Sequence, residues 1–254
     1  MSALCLRFSF SMRYKIKIII DKIINFFLPR TCFCCGADLQ KNKGILCADC
    51  FKKLEVVKGM ICRRCGLPLK SGGRYCHNCR GSKISKYKCS FIRSALKFNE
   101  PSRALVHAFK YEKYLNIAPY FAEVMYKTFR NNPEFREAAF LVPVPIHRSR
   151  QRKRGFNQAE VLANHLGKIC GIPVLNALTR VKNTESQTKL NREERKQNIL
   201  NAFVLVKGME NKIDKQALIL IDDVCTTSAT LEECARVLKE AGAREVLALT
   251  ALRE

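Results

Sequence analysis

Apolar residues from position 91 onward alternate between two spacings, one typical of strands and the other of amphipathic helices. The helical spacing predicts helices at about 101–111, 114–130, 157–170 and 229–241. Short apolar runs predict strands at about 91–98, 139–144, 199–206, 217–221 and 245–250. Helices that alternate with strands indicate an α/β fold, with a parallel sheet flanked by helices.

The N-terminal segment has a different pattern, because isoleucines recur at helical spacing between Ile16 and Leu28. We predict an amphipathic helix over 12–28 that ends before Pro29. Its apolar face either packs on the protein's own body or lies on a membrane surface. Asp21 and Lys22 interrupt the apolar stretch. No uninterrupted apolar stretch in the chain reaches the ~18 residues of a transmembrane segment. We therefore expect a cytoplasmic protein without a transmembrane segment.

Cysteine is concentrated near the N-terminus, where 11 of the 14 cysteines fall within the first 89 residues. Eight of them form four Cys-x-x-Cys units at similar separations: Cys32 and Cys35, Cys47 and Cys50, Cys62 and Cys65, Cys76 and Cys79. Thiolates with this spacing are typical of tetrahedral zinc sites. We predict that this small N-terminal module holds two structural Zn²⁺ ions, which replace a core too small to form there.

The sequence leaves open how these cysteines are grouped. Sequential grouping, first unit with second and third with fourth, is favoured over an interleaved arrangement, which spacing alone does not exclude. Cys34 is an alternative ligand to Cys32 or Cys35, whereas His77 is interpreted as a solvated neighbour. Gly36 and Gly66 directly follow a cysteine and give the backbone the freedom that a zinc knuckle requires.

Charge separates the two parts of the chain. The protein has a net charge of +24, and residues 1–90 contribute 19 Lys and Arg against 4 Asp and Glu. Counting two zinc ions and eight thiolates still leaves this part at about +11, which favours an anionic partner such as single-stranded DNA. We predict an N-terminal helix over 1–30, a double zinc-binding module over 31–85 and an α/β domain over 86–254.

The segment from Ala217 to Thr230, ALILIDDVCTTSAT, carries the clearest functional signal. Its unbroken apolar run indicates a central strand buried on both faces, and Asp222 and Asp223 follow at the carboxyl end, where open α/β sheets bind ligands. Hydroxyl side chains then surround the start of a predicted helix, whose amides favour a phosphate. Together these features predict a ribose 5-phosphate site. The alternative is an ordinary threonine N-cap after acidic residues.

At these residues the sequence resembles type I phosphoribosyltransferases, and nearly the whole chain resembles the ComF family of competence-associated phosphoribosyltransferase-like proteins with a double zinc ribbon. The resemblance rests on Phe109-Lys110-Tyr111, LVPVPIHRSRQRKRGFNQAEVLA (141–163), the polar stretch from Thr184 to Phe203 and IDDVCTTSAT. It implies a phosphoribosyltransferase fold that binds 5-phosphoribosyl 1-diphosphate with Mg²⁺.

The resemblance also implies roles for individual residues. Asp222 and Asp223 hold the ribose and stabilise positive charge that develops on it. The remaining ligand-binding residues form three groups: the phosphate loop Cys225, Thr226, Thr227, Ser228, Ala229 and Thr230; the diphosphate side Val144, Pro145, Arg154, Gly155, Asn157 and Gln158; and Gln187 and Arg195 in a loop that closes over the substrate. Arg192–Asn198 has helical character, so a structural Arg195 is an alternative.

Two features of the phosphate loop qualify this expectation. The family has glycine where this chain has Ser228, and serine tolerates a left-handed backbone less well. Cys225 stands at a helix start, where the thiol pKa is lowered in reactive cysteines, although a structural role is more common. Glycine is also replaced near Glu112 and Lys113, which we expect to affect only a turn.

Two functions remain open. The first is transfer of a phosphoribosyl group to a nitrogen acceptor. The second is a non-catalytic single-stranded DNA-binding factor in DNA uptake, with competence-machinery proteins as further partners, because a fold does not fix a function.

Overall fold

A computed structural model describes residues 31–39, 45–70, 72–80, 87–183 and 192–254, with side chains omitted at 192, 193, 195 and 196. The chain forms two compact units, Met1–Lys53 and Leu54–Glu254. The predicted N-terminal helix over 12–28 lies outside the described residues. Among the described residues, no helix is both long and apolar enough to cross a membrane.

The unit from Leu54 to Glu254 is an α/β domain, as predicted. Its strands are β1 (Ile92–Lys97), β2 (Phe140–Pro143), β3 (Leu178–Arg180), β4 (Phe203–Leu205), β5 (Ala217–Cys225) and β6 (Glu245–Arg253). The helices, numbered after α1 (Ala48–Lys52) of the first unit, are α2 (Glu100–Tyr111), α3 (Ile117–Arg130), α4 (Arg148–Arg154), α5 (Gln158–Cys170), α6 (Arg192–Ile199), α7 (Glu210–Ile213) and α8 (Ala229–Glu240). A 3-10 helix spans Pro133–Glu137.

The main sheet has the strand order β1-β6-β5-β2, and every pair in it is parallel. Helices α3 and α5 pack on one face, and α8 packs against β5 and β6 from the other. Residues 217–221 of β5 are fully buried between these layers. Both faces of this strand contact apolar layers, so its residues do not alternate between apolar and polar. This explains the unbroken apolar run.

Local signals account for most helix boundaries. Helix α2 starts at Glu100 because Asn99 and Ser102 form a reciprocal capping box. Helix α5 begins after Asn157, whose side chain accepts a hydrogen bond from the Ala159 amide, and it ends at Gly171 in a left-handed conformation. Lys113, near the position where the family has glycine, also has a positive φ of 57° in the turn after α2.

One predicted strand needs correction, and one helix is not predicted. The strand expected at 199–206 is shorter, and β4 pairs antiparallel with β3 outside the parallel sheet. The basic segment after β2, for which the apolar pattern predicts no element, is the helix α4. Its seven residues include no buried side chain, so it lacks the apolar periodicity by which helices are recognised in sequence. It is capped by His147, which accepts from the Ser149 amide, and it ends at Gly155 with φ 89°.

The second half of the zinc-binding module is attached to the sheet edge. Ile92 donates its amide to the Arg64 carbonyl at 2.6 Å, and Lys97 donates to the Glu55 carbonyl at 2.8 Å. Gly66 approaches β1 so closely that a Cβ atom there would lie 2.6 Å from the Ile92 carbonyl oxygen. Residues 54–80 therefore belong to the same compact unit as the sheet.

We expect Gly66→Ala to destabilise this unit more than Gly59→Ala, as measured by urea unfolding. Both glycines have a positive φ, which costs an alanine ~1–2 kcal/mol. Only Gly66 is also packed against backbone, so its substitution adds a cost of ~1–3 kcal/mol for overpacking. Equal losses in the two variants would contradict the close approach, because a Cβ atom added to Gly59 would have nothing within 4 Å.

Candidate functional site

The two aspartates of β5 lie near its carboxyl end, as part of a strand that continues to Cys225. The Asp222 Oδ1 atom accepts a hydrogen bond from the Asp223 amide at 2.8 Å. The Asp223 carboxylate is 8% exposed and forms an ion pair with the Lys110 ammonium group at 2.8 Å. Lys110 comes from α2, so two distant segments of the chain meet at the acid pair.

Burial and the negative charge of Asp223 raise the pKa of Asp222 to about 7. An aspartate in water titrates near pH 4, so the site holds a proton that the unfolded chain releases. The Lys110 charge acts in the opposite direction and favours the ionised form. The pair is therefore poised to gain a second negative charge when a ligand supplies donors or positive charge.

The phosphate loop connects β5 to α8. Thr226 and Thr227 precede the helix, and Ser228 occupies the N-cap position with φ 66°, without a side-chain capping bond. This left-handed conformation is the one for which the family uses glycine. The Cys225 side chain is buried, with its sulfur 3.4 Å from the Ser228 hydroxyl.

The structural role favoured for Cys225 agrees with its surroundings, and the alternative of a lowered thiol pKa is not supported. Burial raises the pKa of its thiol, and this outweighs the nearby Arg253 charge and the hydrogen bond from Ser228. A buried thiol of raised pKa is inert, so Cys225 acts as a small packing residue.

The diphosphate side is built on the carboxyl end of β2. Val144 is buried and donates its amide to the Ile221 carbonyl at 2.9 Å, while the Asn157 side-chain amide donates to the Val144 carbonyl at 3.1 Å. These bonds fix the loop between β2 and α4. One nitrogen of Arg154 donates to Gln158 Oε1 at 3.0 Å, and its guanidinium lies 5.2 Å from the centre of the Tyr111 ring.

The structure brings most of the predicted ligand-binding residues to one pocket of about 410 Å³. Its lining includes Asp222, Asp223, Val144, Pro145, Arg154, Asn157, Gln158, Cys225, Thr226, Ser228, Ala229 and Thr230. Gly155 and Thr227 lie outside that lining. Gln187 lies outside the described residues, and Arg195 falls in α6, in accord with its helical alternative, with its side chain not described.

Lys110 and Arg180 line this pocket, although the sequence gives neither of them a site role. Lys110 stands out in the sequence only as part of a family motif, whereas Arg150 belongs to a run of five cations after β2 for which ligand contact is predicted. Arg180 ends the short strand β3, and its pKa is lowered to about 10 by burial and by the nearby Arg150 charge. A single arginine in a three-residue strand gives no signal in the sequence, because only the fold places it beside the acid pair.

The cysteines form two clusters in sequential order, Cys32, Cys35, Cys47 and Cys50, and Cys62, Cys65, Cys76 and Cys79. Within each cluster all four sulfur atoms lie within 4.8 Å of one another, and Cys34 belongs to neither. The Cys35 and Cys47 sulfurs are 3.7 Å apart, and the Cys65 and Cys76 sulfurs 3.6 Å. Zinc–sulfur bonds of ~2.3 Å in a tetrahedron place sulfurs about 3.8 Å apart, so both clusters fit structural zinc.

Comparisons with known proteins agree with both parts of this description. A family model described as a double zinc ribbon domain matches residues 23–80, and one described as a phosphoribosyl transferase domain matches residues 152–253.

Full-length relatives are also found. Competence protein F of Haemophilus influenzae is 32% identical over 228 residues, which cover 88% of this chain and 96% of the relative. Competence protein ComFC of Bacillus subtilis is 32% identical over 221 residues, covering 85% and 87%. The DNA utilization protein YhgH of Salmonella typhimurium is 27% identical over 223 residues, covering 86% and 95%.

We expect Asp222→Asn to raise the melting temperature more at pH 8 than at pH 5. With a pKa of about 7, Asp222 holds a proton in the folded state between pH 4 and 7 that the unfolded chain has lost, so its contribution to stability falls as pH rises through that window. The asparagine variant escapes this loss. The exposed Asp214→Asn is the control, and an equal gain from Asp222→Asn at both pH values would contradict the raised pKa.

We expect Ser228→Gly to raise the free energy of unfolding by ~1 kcal/mol, because it relieves the cost of a left-handed backbone in a residue with a Cβ atom. Ser228→Ala keeps that cost and removes only the hydroxyl near Cys225, so it provides the matched comparison. If urea unfolding shows that the Ser228→Gly variant is no more stable than the Ser228→Ala variant, Ser228 carries no backbone strain.

Proposed function

The chain belongs to the family of competence protein F, and on this basis we propose that it binds 5-phosphoribosyl 1-diphosphate with Mg²⁺ and transfers the phosphoribosyl group to a nitrogen acceptor. The observation that carries the proposal is the single pocket in which Asp222 and Asp223 lie between a phosphate-binding helix start and a cluster of cations. 5-Phosphoribosyl 1-diphosphate has the same order of groups, because its ribose lies between the 5′-phosphate and the diphosphate.

The acid pair provides the contacts to the sugar. Carboxylate oxygens of Asp222 and Asp223 accept hydrogen bonds from the 2′- and 3′-hydroxyls, which orients C1. Before the ligand binds, the ion pair between Lys110 and Asp223 limits the repulsion between the two carboxylates. A transition state of oxocarbenium character gains positive charge near C1, and these carboxylates stabilise it.

The two charged ends of the substrate are held on opposite sides of this pair. The 5′-phosphate binds at the start of α8, where Thr226 and Thr230 add hydroxyl groups to the free amides of the helix. The diphosphate lies towards β2 and α4, where Arg150, Arg154 and the backbone after Val144 line the pocket.

The reaction forms a bond between the acceptor nitrogen and C1 while the bond from C1 to the diphosphate oxygen breaks. The electron pair of that bond leaves with the diphosphate, and the acceptor nitrogen loses a proton. Mg²⁺ would neutralise charge on the leaving diphosphate, and its preference for oxygen ligands fits the Asp222 and Asp223 carboxylates together with the substrate's own oxygens.

We propose that Gln187 and Arg195 belong to the segment that excludes water.

A second candidate function is a single-stranded DNA-binding factor, which acts with competence-machinery proteins in the cytoplasm. It is favoured by exposed aromatic rings among the basic residues of the zinc-binding module. Phe51 is 52% exposed and Tyr75 is 38% exposed. Lys52 follows Phe51, and Arg74 precedes Tyr75. Aromatic rings beside cations are the usual means of binding single strands without sequence preference.

We expect 5-phosphoribosyl 1-diphosphate with Mg²⁺ to raise the thermal stability of the full chain, by ~2.7 kcal/mol at a 100-fold excess over the dissociation constant. The combined change Asp222→Asn with Asp223→Asn should abolish that shift and leave the chain folded, because it removes the charges that bind the ribose. Thermal scanning with and without ligand measures both effects. A shift that survives the double change would remove the ribose role from these residues.

Turnover separates the two candidate functions. Release of diphosphate in the presence of a panel of nitrogen bases and amines supports transfer, whereas binding without turnover supports the non-catalytic candidate.

We expect Phe51→Ala and Tyr75→Ala to weaken binding of a single-stranded oligonucleotide, because base–aromatic stacking contributes ~1–3 kcal/mol per base. Fluorescence anisotropy at several salt concentrations measures the affinity, which should fall with salt as counterions are released. Leu115→Ala changes an exposed apolar residue of the α/β unit and serves as the control. Equal affinity in all four proteins would show that neither ring binds the oligonucleotide.

A further inference from the structure

Arg253, the last residue of β6, makes an unusual set of contacts with the phosphate loop. The residue is 7% exposed. Its Nη1 atom donates hydrogen bonds to the carbonyl oxygen of Cys225 at 2.7 Å, to that of Thr226, and to that of Glu254 at 2.8 Å. One buried side chain therefore holds two successive carbonyl groups at the start of the loop.

These contacts fix the direction of the loop amides. In a trans peptide unit the carbonyl and the following N–H point in opposite directions. Because the Cys225 and Thr226 carbonyls face Arg253, the amides of Thr226 and Thr227 face away from it. None of the described residues accepts a hydrogen bond from these two amides. They are donors held in place without a protein acceptor, as a phosphate site requires.

Arg253 also lies near the second cysteine cluster. Arg253, Cys65 and Cys79 line one cleft of about 640 Å³, which shares Thr226, Ser228, Ala229 and Glu254 with the acid-pair pocket. Arg253 lies within electrostatic range of the Cys65 sulfur. Four thiolates around one Zn²⁺ carry a net charge of −2, which is a suitable counter-ion for a buried guanidinium.

The guanidinium needs such a counter-ion. Its Nε atom is buried and has no hydrogen-bond partner among the described residues. The Cys225 and Thr226 carbonyl oxygens that bond its Nη1 atom supply only dipoles, and a buried cation without an opposing charge is costly. Glu254 and the thiolates of Cys65 and Cys79 line the same cleft as Arg253 and supply opposing charge.

We propose that Arg253 is a positioning residue that aims the phosphate-loop amides at the ligand, with the zinc-loaded cluster of Cys62, Cys65, Cys76 and Cys79 as its counter-ion. This inference rests on the proposed phosphate site. It makes the second zinc ion part of the support of that site, whereas the first cluster has no such role.

The first test compares Arg253→Met and Arg253→Lys with the unchanged full chain by calorimetric titration. Ribose 5-phosphate should bind at least 10-fold more weakly to the methionine variant, and lysine should recover part of the affinity because it restores the charge and one donor. Diphosphate with Mg²⁺ should bind all three proteins equally, since its contacts lie at α4. Weaker binding of both ligands, or of neither, would overturn the positioning role.

A ligand-free measurement separates this inference from the proposed function. Hydrogen exchange followed by mass spectrometry should show faster exchange of the Glu232 and Glu254 amides, which donate to the Ser228 and Cys225 carbonyls of the loop, in Arg253→Met, with exchange in α5 unchanged. If ribose 5-phosphate fails to bind the unchanged protein, the proposed function fails, yet this exchange difference still decides whether Arg253 orders the loop. Unchanged exchange would refute the inference.

The second test concerns zinc. Cys79→Ser and Cys50→Ser change matched buried cysteines, one in each cluster, and each should reduce the zinc content of the full chain from two to about one. Ribose 5-phosphate affinity should fall only in Cys79→Ser. Equal affinity in the two variants would remove the counter-ion role. If Cys79→Ser unfolds, the comparison is made on Cys76→Ser and Cys47→Ser, and general unfolding in both second-cluster variants would show a structural role instead.

Discussion

The structure depends on keeping two adjacent carboxylates at the end of a strand that is buried on both faces. Such charges are costly in an apolar interior unless cations and hydrogen bonds compensate them. Lys110 from α2 pairs with Asp223, and the Asp223 amide bonds to Asp222. Arg180 and Arg150 add positive charge to the same pocket. Helices and strands far apart in sequence thus contribute the cations that compensate the two buried carboxylates.

Much of this fold is predictable from sequence, because its main signals are local. The apolar run before Asp222 indicates a buried central strand, and the hydroxyl-rich segment after it indicates the start of a helix, which begins at Ala229. The four Cys-x-x-Cys units predict both metal clusters, and the grouping found is the sequential one. In each case the relevant residues are neighbours in the chain, so no long-range information is needed.

The remaining features depend on tertiary contacts that leave no local pattern. Helix α4 consists of polar and charged residues without an apolar face, so periodicity analysis finds no helix there. Lys110 and Arg180 lie about 110 and 40 residues from the acid pair in sequence, and only the packing of α2 and β3 makes them site residues. The carbonyl contacts of Arg253 likewise arise only when β6 lies beside β5.

The attachment of the second cysteine cluster also affects the edge of the sheet. Strand β1 is the outermost strand on its side, and an unpaired strand edge is a template for pairing with another chain. Here Val57 donates its amide to the Ala95 carbonyl, and Val56 forms a bridge with Leu96, so the preceding segment occupies that edge. The opposite edge, β2, is only four residues long and ends at Pro143. The segment between the two cysteine clusters thereby also protects the protein from edge-to-edge aggregation.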